Sequence, residues 1–180
     1  MIDKARLRES ALLQRQAISQ DAYEQLNSSL ADQLLNLIQS KNYQSIHFFL
    51  PIEKNNEPDF RKLFPVLWKE GRRIIVSKTH FKSKTLTHYW LEPSTMLVEN
   101  SWCIPEPVDA TQTSIENAEL IVVPLLLADR SSHRIGYGGG FYDKLLADYH
   151  GNTVGVSLFP PIEKVPVEPW DIPLQKILFA

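Results

Sequence analysis

The sequence predicts a single α/β domain over residues 1–180, with a mostly parallel sheet between helices and a functional site at the C-terminal ends of the strands. A chain of 180 residues has the usual length of one domain. Apolar runs typical of strands alternate along it with runs whose apolar residues recur at helical spacing. Near the C-terminus, the strand-like run 119–123, a helical run after residue 140 and the strand-like run 152–157 predict a βαβ unit, whose strands are parallel.

Three helices are predicted in the first part of the chain. Residues 3–18 predict a terminal helix, and Ser19 is a suitable cap for the longer helix that follows. A third helix is expected to start at Pro58, which suits a first turn, and to end at Gly71. Pro65 should kink or split this helix, because proline removes a backbone donor.

Strands are predicted where short runs are apolar or alternate between apolar and polar residues. The proline-containing segment 91–115 is expected to be irregular, and the polar turn 129–133 leads into a glycine-rich loop. His47 lies within the first strand and is expected to be a core or edge histidine rather than a metal ligand, since no His or Cys partner has metal-ligand spacing. The predicted strands are 45–50, 73–76, 85–90, 119–123 with its apolar continuation 124–127, 152–157 and 176–179.

Composition excludes several classes of protein. A hydrophobic fraction of 43% and a charged fraction of 22% are typical of a globular protein, and the net charge of −2 gives no general field for nucleic acid. Cys103 is the only cysteine, which excludes an internal disulfide and a cysteine-based metal cluster. The charged N-terminus resembles no signal peptide, and no apolar run has membrane-spanning length. We therefore expect a cytoplasmic protein with small-molecule ligands.

The most informative stretch is the glycine loop, residues 134–144. Four of the seven glycines fall within positions 136–140, between a strand and a helix. That order favours an anion site, because glycines let backbone N–H groups approach a ligand and a helix N-terminus carries a positive partial charge. The dinucleotide fingerprint fails, since its third glycine would be Phe141, and the P-loop fails because the chain has no Gly-Lys pair. The alternative is a flexible turn without a ligand.

Charged residues elsewhere have two interpretations each. Lys4, Arg8 and Arg15 lie within roughly 40° of one another on the first helix. Together they form either a polyphosphate clamp or a solvated basic face. Asp143 is either a Mg²⁺ ligand beside phosphates or a first-turn charge that complements the helix dipole. Asp171 is a second candidate carboxylate or an exposed turn residue. Glu57, in the loop after the first strand, is a candidate ligand-binding group or a solvated charge.

These residues together resemble the 5-formyltetrahydrofolate cyclo-ligase family, also called 5,10-methenyltetrahydrofolate synthetases. The family pattern Arg–Leu/Ile–Gly–x–Gly–x–Gly–Phe/Tyr–Tyr–Asp matches residues 134–143. The family also has a Lys-x-x-x-Arg helix, matched by Lys4 and Arg8, and a glutamate after its first strand, matched by Glu57. Its Trp-x-Ile-Pro-x-Pro segment matches 102–107, and its tail matches Val165, Pro166 and Asp171. The resemblance covers nearly the whole chain.

The resemblance implies ATP-dependent cyclisation of 5-formyltetrahydrofolate to 5,10-methenyltetrahydrofolate, with release of ADP and phosphate. It implies ATP as co-substrate, Mg²⁺ as cofactor, a folate that carries one or several glutamates, and a monomer or weak dimer. It also implies the three-layer α/β/α fold shared with the ribose-isomerase and CoA-transferase group. The implied catalytic residues are Arg134 and Tyr142. The implied ATP ligands are Lys4, Arg8, Arg134, Ile135, Gly136, Tyr137, Gly138, Gly139, Gly140, Phe141 and Tyr142; the folate ligands are Leu50, Glu57, Trp102 and Tyr142; and the metal ligands are Asp143 and Asp171.

The chain departs from the family pattern at three positions. Ser132 stands where the family usually has glycine, and a left-handed residue there would strain the turn. Trp170 stands where many relatives have histidine, and Gln175 where many have aspartate. These changes leave two alternatives open: a folate-binding relative that has lost catalysis, or another ATP-dependent ligase or kinase on the same scaffold.

Overall fold

The computed structural model of the chain describes residues 3–180; the predictions that concern Met1 and Ile2 lie outside the described residues. Four α-helices and eleven strands form within this range. The helices are α1 Lys4–Gln16, α2 Gln20–Ser40, α3 Phe64–Lys69 and α4 Phe141–Ala147. The strands are β1 Ser45–His47, β2 Arg73–His80, β3 Thr85–Leu91, β4 Met96–Glu99, β5 Pro105–Val108, β6 Gln112–Thr113, β7 Leu120–Pro124, β8 Leu127–Ala128, β9 Arg134–Ile135, β10 Asn152–Ser157 and β11 Lys176–Phe179.

A seven-stranded sheet in the order β11-β10-β7-β1-β2-β3-β6 organises the chain. Strands β11, β10, β7, β1 and β2 are parallel to one another, whereas β3 pairs antiparallel with β2 and with β6. The predicted βαβ unit is confirmed, because β7 and β10 are parallel neighbours with α4 between them in sequence. The C-terminal ends of the parallel strands therefore share one edge, where ligands of open α/β sheets bind.

Helices cover both faces of the sheet, which confirms the predicted three-layer architecture. On β2, Ile74 and Val76 join the core beneath α2 and α3, whereas Ile75 points to the opposite face. Successive strand residues point to opposite faces, so continuous apolar strands supply both cores. The opposite core includes Leu146 of α4. Helix α1 packs through Ala11 on the β8–β9 hairpin and the C-terminal tail.

Helix caps follow the sequence closely. The Asp3 side chain accepts a hydrogen bond from the backbone N–H of Arg6, and that of Ser19 accepts from Ala22. Each cap satisfies one of the backbone donors that have no partner inside the helix. The predicted split near Pro65 is also confirmed: a 3₁₀ turn precedes α3, and Pro65 lies in the first turn of α3.

Three local predictions were wrong. The third helix begins at Phe64 rather than Pro58, because a proline fits the start of a helix and Pro65 supplies that start. The segment 91–115 is not irregular, since β4 and β5 form an antiparallel hairpin in it and β6 extends the main sheet. The first strand ends at His47 instead of residue 50, although the Phe48 N–H still bonds the Ile75 carbonyl at 2.8 Å. Within residues 3–180, no helix has the length and apolar character needed to cross a membrane.

Candidate active site

A cleft of about 720 Å³ opens at the C-terminal edge of the parallel strands. Its walls come from the glycine loop, α1, the loop after β1, the β2–β3 hairpin and the C-terminal tail. Segments distant in sequence therefore converge on one cavity. The sequence-predicted site residues that line it are Lys4, Arg8, Leu50, Glu57, Trp102, Arg134, Ile135, Gly136, Tyr137, Gly138, Gly139, Gly140, Phe141, Tyr142, Asp143 and Asp171.

The glycine loop depends on its glycines at particular positions. Gly138 has a φ of +84° and Gly140 a φ of +74°, a left-handed conformation that strains other residues. A Cβ on Gly138 would lie only 2.9 Å from the guanidinium carbon of Arg8. The Arg8 Nε–H donates to the Gly136 carbonyl at 2.9 Å, so α1 holds the loop through this arginine. The backbone N–H groups of residues 137–140 donate to no group within residues 3–180, which leaves them free for a ligand.

Two ion pairs neutralise the charges beside this loop. Arg134 donates from Nη2 to the Asp143 carboxylate at 2.6 Å and also bonds the Ile172 carbonyl. Lys4 pairs with Asp171 and, at 3.1 Å, with Glu168. Burial alone would raise the pKa of Asp171, but its hydrogen bonds from Lys4 and the Glu168 backbone outweigh burial and lower that pKa. Asp171 is therefore a carboxylate at neutral pH.

Glu57 is a buried carboxyl group that lines the same cleft. Its side chain is 4% exposed, and its Oε2 accepts a hydrogen bond from the Ile52 N–H at 2.6 Å. Burial raises its pKa, while Arg15, the Ile52 N–H and the Tyr137 hydroxyl oppose that rise. Tyr142 is close enough for the charge of Glu57 to act on its phenol, and burial followed by that charge raises the pKa of Tyr142. Tyr142 therefore stays protonated at neutral pH and can donate a hydrogen bond.

An aromatic cluster forms the mouth of the cleft. Trp102 is 57% exposed and stacks on Phe81 with ring centroids 4.7 Å apart. Phe81 in turn meets Phe141 edge to face at 5.6 Å. Trp102 therefore presents a flat, accessible surface to the cleft. Phe81 has no sequence signal beyond its place at the predicted turn between two strands.

Arg15 lies behind residues of the cleft wall, and the sequence left two interpretations open for it. It is buried to 1% exposure on the face of α1 that also carries Lys4 and Arg8, so the solvated-face alternative fails for it. Its Nε–H donates to the Asn55 carbonyl at 2.7 Å, and its Nη2 group bonds the Tyr137 hydroxyl. The helical spacing placed it on the correct face, but its partners come from segments about 40 and 122 residues away.

His47 takes part in a buried network beneath the cleft floor. Its Nε2 lies 2.7 Å from the Ser77 hydroxyl, which lies 2.8 Å from Nδ1 of His88. Burial, followed by the neighbouring His88, lowers the pKa of His47, and burial lowers the pKa of His88 to about 4. Both rings are neutral at physiological pH, and of the two predicted settings His47 occupies the core rather than a sheet edge.

The sequence model of the 5-formyltetrahydrofolate cyclo-ligase family matches residues 1–180. The chain belongs to this family. The predicted family and the prediction of a cyclo-ligase enzyme are therefore confirmed.

Relatives of known identity cover nearly all of the chain. It is 28% identical to the 5-formyltetrahydrofolate cyclo-ligase of Escherichia coli K12 over 171 residues, which are 91% of this chain and 93% of the relative. It is also 28% identical over 187 residues to that of Haemophilus influenzae, covering 98% and 92%. The NMR structure of Aquifex aeolicus 5,10-methenyltetrahydrofolate synthetase matches with a TM-score of 0.84 and 29% identity, covering 98% of this chain and 89% of the other. The fold prediction is thus confirmed.

The three departures from the cyclo-ligase pattern lie in different settings. Ser132 has a φ of +64°, so the predicted strained turn is present. The buried Asp129 carboxylate holds this turn by accepting hydrogen bonds from the N–H groups of Ser131 and His133 and from that of Val165 in the tail. Trp170 is 66% exposed at the cleft. Gln175 joins β10 to β11 through Thr153 and lies outside the cleft lining.

Proposed function

We propose that this cyclo-ligase converts 5-formyltetrahydrofolate and ATP to 5,10-methenyltetrahydrofolate, ADP and phosphate, with Mg²⁺ as cofactor. The observation that carries the proposal is the shared cleft: a cation-flanked glycine loop and the buried carboxyl group of Glu57 line one cavity. Phosphoryl transfer asks a protein mainly for positioning and charge stabilisation, and both are available in this cavity. We further propose a cytoplasmic location and a monomer or weak dimer.

The triphosphate binds along the glycine loop. The free N–H groups of residues 137–140 donate to phosphate oxygens, and Lys4, Arg8 and Arg134 supply positive charge from α1 and β9. Left-handed Gly138 and Gly140 let the backbone approach the phosphates without a side chain between them. The remaining loop residues, Ile135 to Phe141, shape the wall against which ATP lies.

Asp143 and Asp171 would hold Mg²⁺. Both are carboxylates that line the same cleft, and both interact with the charge of Arg134. Within residues 3–180, no group of three or more acidic, His or Cys side chains could hold a metal by itself. Such a pair fits Mg²⁺, which prefers one or two carboxylates with phosphate and water oxygens. When bound, Mg²⁺ neutralises charge on the phosphates.

Binding of MgATP then requires an exchange of partners. In the free protein, Arg134 is paired with Asp143 and Lys4 with Asp171. As the phosphates enter, the two cations turn to phosphate oxygens and the two carboxylates become available as metal ligands. All four side chains would have new partners only when ATP and Mg²⁺ are both bound.

Folate occupies the other half of the cleft. The Glu57 carboxylate accepts hydrogen bonds from N–H groups of the pterin ring, and Leu50 packs beside it. Trp102 offers a flat aromatic surface at the mouth. Tyr142, in the first turn of α4, lies between the ATP and folate halves. Its neutral phenol donates a hydrogen bond at the reacting edge.

The reaction begins when the formyl oxygen attacks the γ-phosphorus of ATP and ADP leaves. The product of this step is an N5-iminium phosphate. N10 then attacks the activated formyl carbon and loses its proton, the five-membered ring closes, and phosphate departs with the former formyl oxygen. Arg134 stabilises the charge that develops on the transferred phosphoryl group, and Tyr142 orients the formyl oxygen towards it.

The direct test is to mix folded protein with 5-formyltetrahydrofolate and MgATP and to follow the absorbance of the methenyl product. We expect product only when folate, ATP and Mg²⁺ are all present. Asp143→Asn should raise the Mg²⁺ concentration that gives half-maximal rate, whereas Asp148→Asn, at the exposed end of α4, is the matched control. Folded wild-type protein that makes no product would overturn the proposal. Folate binding in calorimetry without turnover would identify a relative that has lost catalysis.

A further inference from the structure

Arg15 is a fully buried cation to which the proposed reaction gives no task. Its guanidinium lies where three segments meet: Nε–H donates to the Asn55 carbonyl at 2.7 Å, Nη2 bonds the Tyr137 hydroxyl, and Nη2 lies 3.9 Å from Oε1 of Glu57. The side chains of Arg15 and Glu57 are 2% and 4% exposed. Burying a charge is costly unless it is paired and hydrogen-bonded, so this arrangement needs both partners.

We infer that Arg15 is a positioning residue of the folate site, which keeps Glu57 ionised and fixes it relative to the glycine loop. The inference rests on the proposed function, because it assumes that Glu57 binds the pterin ring. It adds a residue that acts on folate through Glu57 without touching the reacting atoms.

The charges around Glu57 support this role. The groups that face the carboxyl are Arg15 from α1, the Tyr137 hydroxyl from the glycine loop, Tyr142 from α4 and the Ile52 N–H from its own loop. Arg15 carries the positive charge among these described groups, and it opposes the rise in the pKa of Glu57 that burial causes. An ionised carboxylate only accepts hydrogen bonds, as N–H donors of a pterin require. Protonation of Glu57 would turn one of its acceptor positions into an O–H donor, which cannot pair with an N–H of the pterin.

The contacts of the backbone support the same role. The Asn56 side-chain amide donates to the Arg15 carbonyl at 3.0 Å, and the Gln16 amide donates to Oδ1 of Asn55 at 2.9 Å. The end of α1 is thus tied to the loop that carries Glu57. Through Tyr137 the same guanidinium also reaches the glycine loop. A planar guanidinium with several N–H donors can serve these partners together, whereas a lysine ammonium cannot reproduce the geometry.

The test measures binding of 5-formyltetrahydrofolate by calorimetry at pH 7.5 without ATP. Arg15→Met should weaken binding by about tenfold or more, and Arg15→Lys should restore part of the loss. Arg6→Met is the matched control, because Arg6 lies on the exposed side of the same helix. The folate affinity of this variant should be within twofold of that of wild type. Adding Arg15→Met to the Glu57→Gln variant should lower folate affinity less than threefold. The neutral amide at position 57 has no charge for Arg15 to maintain.

The pH dependence separates positioning from a general structural role. Loss of Arg15 removes the cation that opposes the raised pKa of Glu57, so folate affinity should begin to fall at a higher pH than in wild type. A merely structural defect would lower affinity equally at every pH. If Arg15→Met does not fold, the double variant with Glu57→Gln, which leaves no unpaired buried charge, should fold and bind folate as Glu57→Gln does.

The outcomes distinguish the inference from the proposal beneath it. Wild-type protein that binds no folate contradicts the proposed function. Wild-type protein that binds folate while Arg15→Met binds equally well overturns the role of Arg15 alone. The role of Arg15 is also overturned if Arg15→Met weakens the Glu57→Gln variant as much as it weakens wild type.

Discussion

Alanine at Gly138 should disturb the glycine loop through two separable effects. Gly138 has a φ of +84°, and an added Cβ would lie 2.9 Å from Cζ and 3.1 Å from Nη2 of Arg8. Gly140 also has a positive φ, +74°, but its Cβ would meet no atom within 4 Å. Gly136 has neither property. Alanine should therefore cause no disturbance at position 136, backbone strain alone at position 140, and strain together with displacement of Arg8 at position 138.

The magnitudes follow from the same contacts. A left-handed conformation costs an L-residue roughly 1–2 kcal/mol relative to glycine. The Arg8 guanidinium is the end of a flexible side chain and can move, but it would lose its 2.9 Å hydrogen bond to the Gly136 carbonyl. A bond of this charged kind contributes about 1.5–3 kcal/mol, and less where it is partly exposed. We expect Gly140→Ala to lower the free energy of unfolding by about 1 kcal/mol and Gly138→Ala by about 2–3 kcal/mol.

Urea unfolding of the three variants, followed by titration with MgATP, checks this reasoning. Gly136→Ala should be as stable as wild type or gain up to about 1 kcal/mol, since alanine restricts the unfolded chain. Gly138→Ala should lose more ATP affinity than Gly140→Ala, because only the first moves Arg8. If Gly138→Ala unfolds at the same urea concentration as Gly136→Ala, neither the positive φ of Gly138 nor its contact with Arg8 constrains the loop.

Two further predictions concern the interior. His88 is buried with its pKa lowered to about 4, so below pH 6.5 the unfolded chain binds a proton at this histidine more readily than the folded protein does. As the pH falls from 6.5 to 5, His88 should therefore lower the free energy of unfolding by about 2 kcal/mol. The measurement is urea unfolding of wild type and His88→Gln at both pH values. A Cβ on Gly155 would lie 2.6 Å from methyl carbons of Ile177, Leu125 and Leu174, so Gly155→Ala should destabilise the fold by about 1–3 kcal/mol, and Ile177→Val in the same chain should recover part of that loss.

Local pattern was sufficient to predict most of the elements. The apolar periodicity of α2, the cap at Ser19 and the βαβ order around the glycine loop are all properties of neighbouring residues, and the structure contains each of them. The β4–β5 hairpin was missed for a physical reason. Pro105 and Pro107 cannot donate to a strand ladder, so a sequence with both argues against a strand. In the structure they lie in a two-stranded hairpin outside the main sheet, where the missing donors are tolerated.

The sequence predicted which residues line the site, but not which of their side chains pair with one another. The family pattern and the shared helical face identified Lys4, Arg8 and Glu57 as candidates, and all three line the cleft. Nothing in their spacing showed that Lys4 would pair with Asp171, or that Arg15 would lie against Glu57. Those contacts depend on how α1 lies across the sheet edge. Long-range packing decides that placement, and a single sequence does not encode it as a pattern.

Helix α1 therefore has a role beyond supplying cations. Lys4 reaches the C-terminal tail, Arg8 the glycine loop, and Arg15 the loop that carries Glu57. Lys4 and Arg15 are eleven positions apart, about 16 Å along a helix axis, so one helix reaches all three segments. Because the three side chains project from one face of a rigid helix, the distances between the three segments are fixed together. Under the proposed function, a shift of α1 would therefore disturb the ATP half and the folate half of the cleft at once.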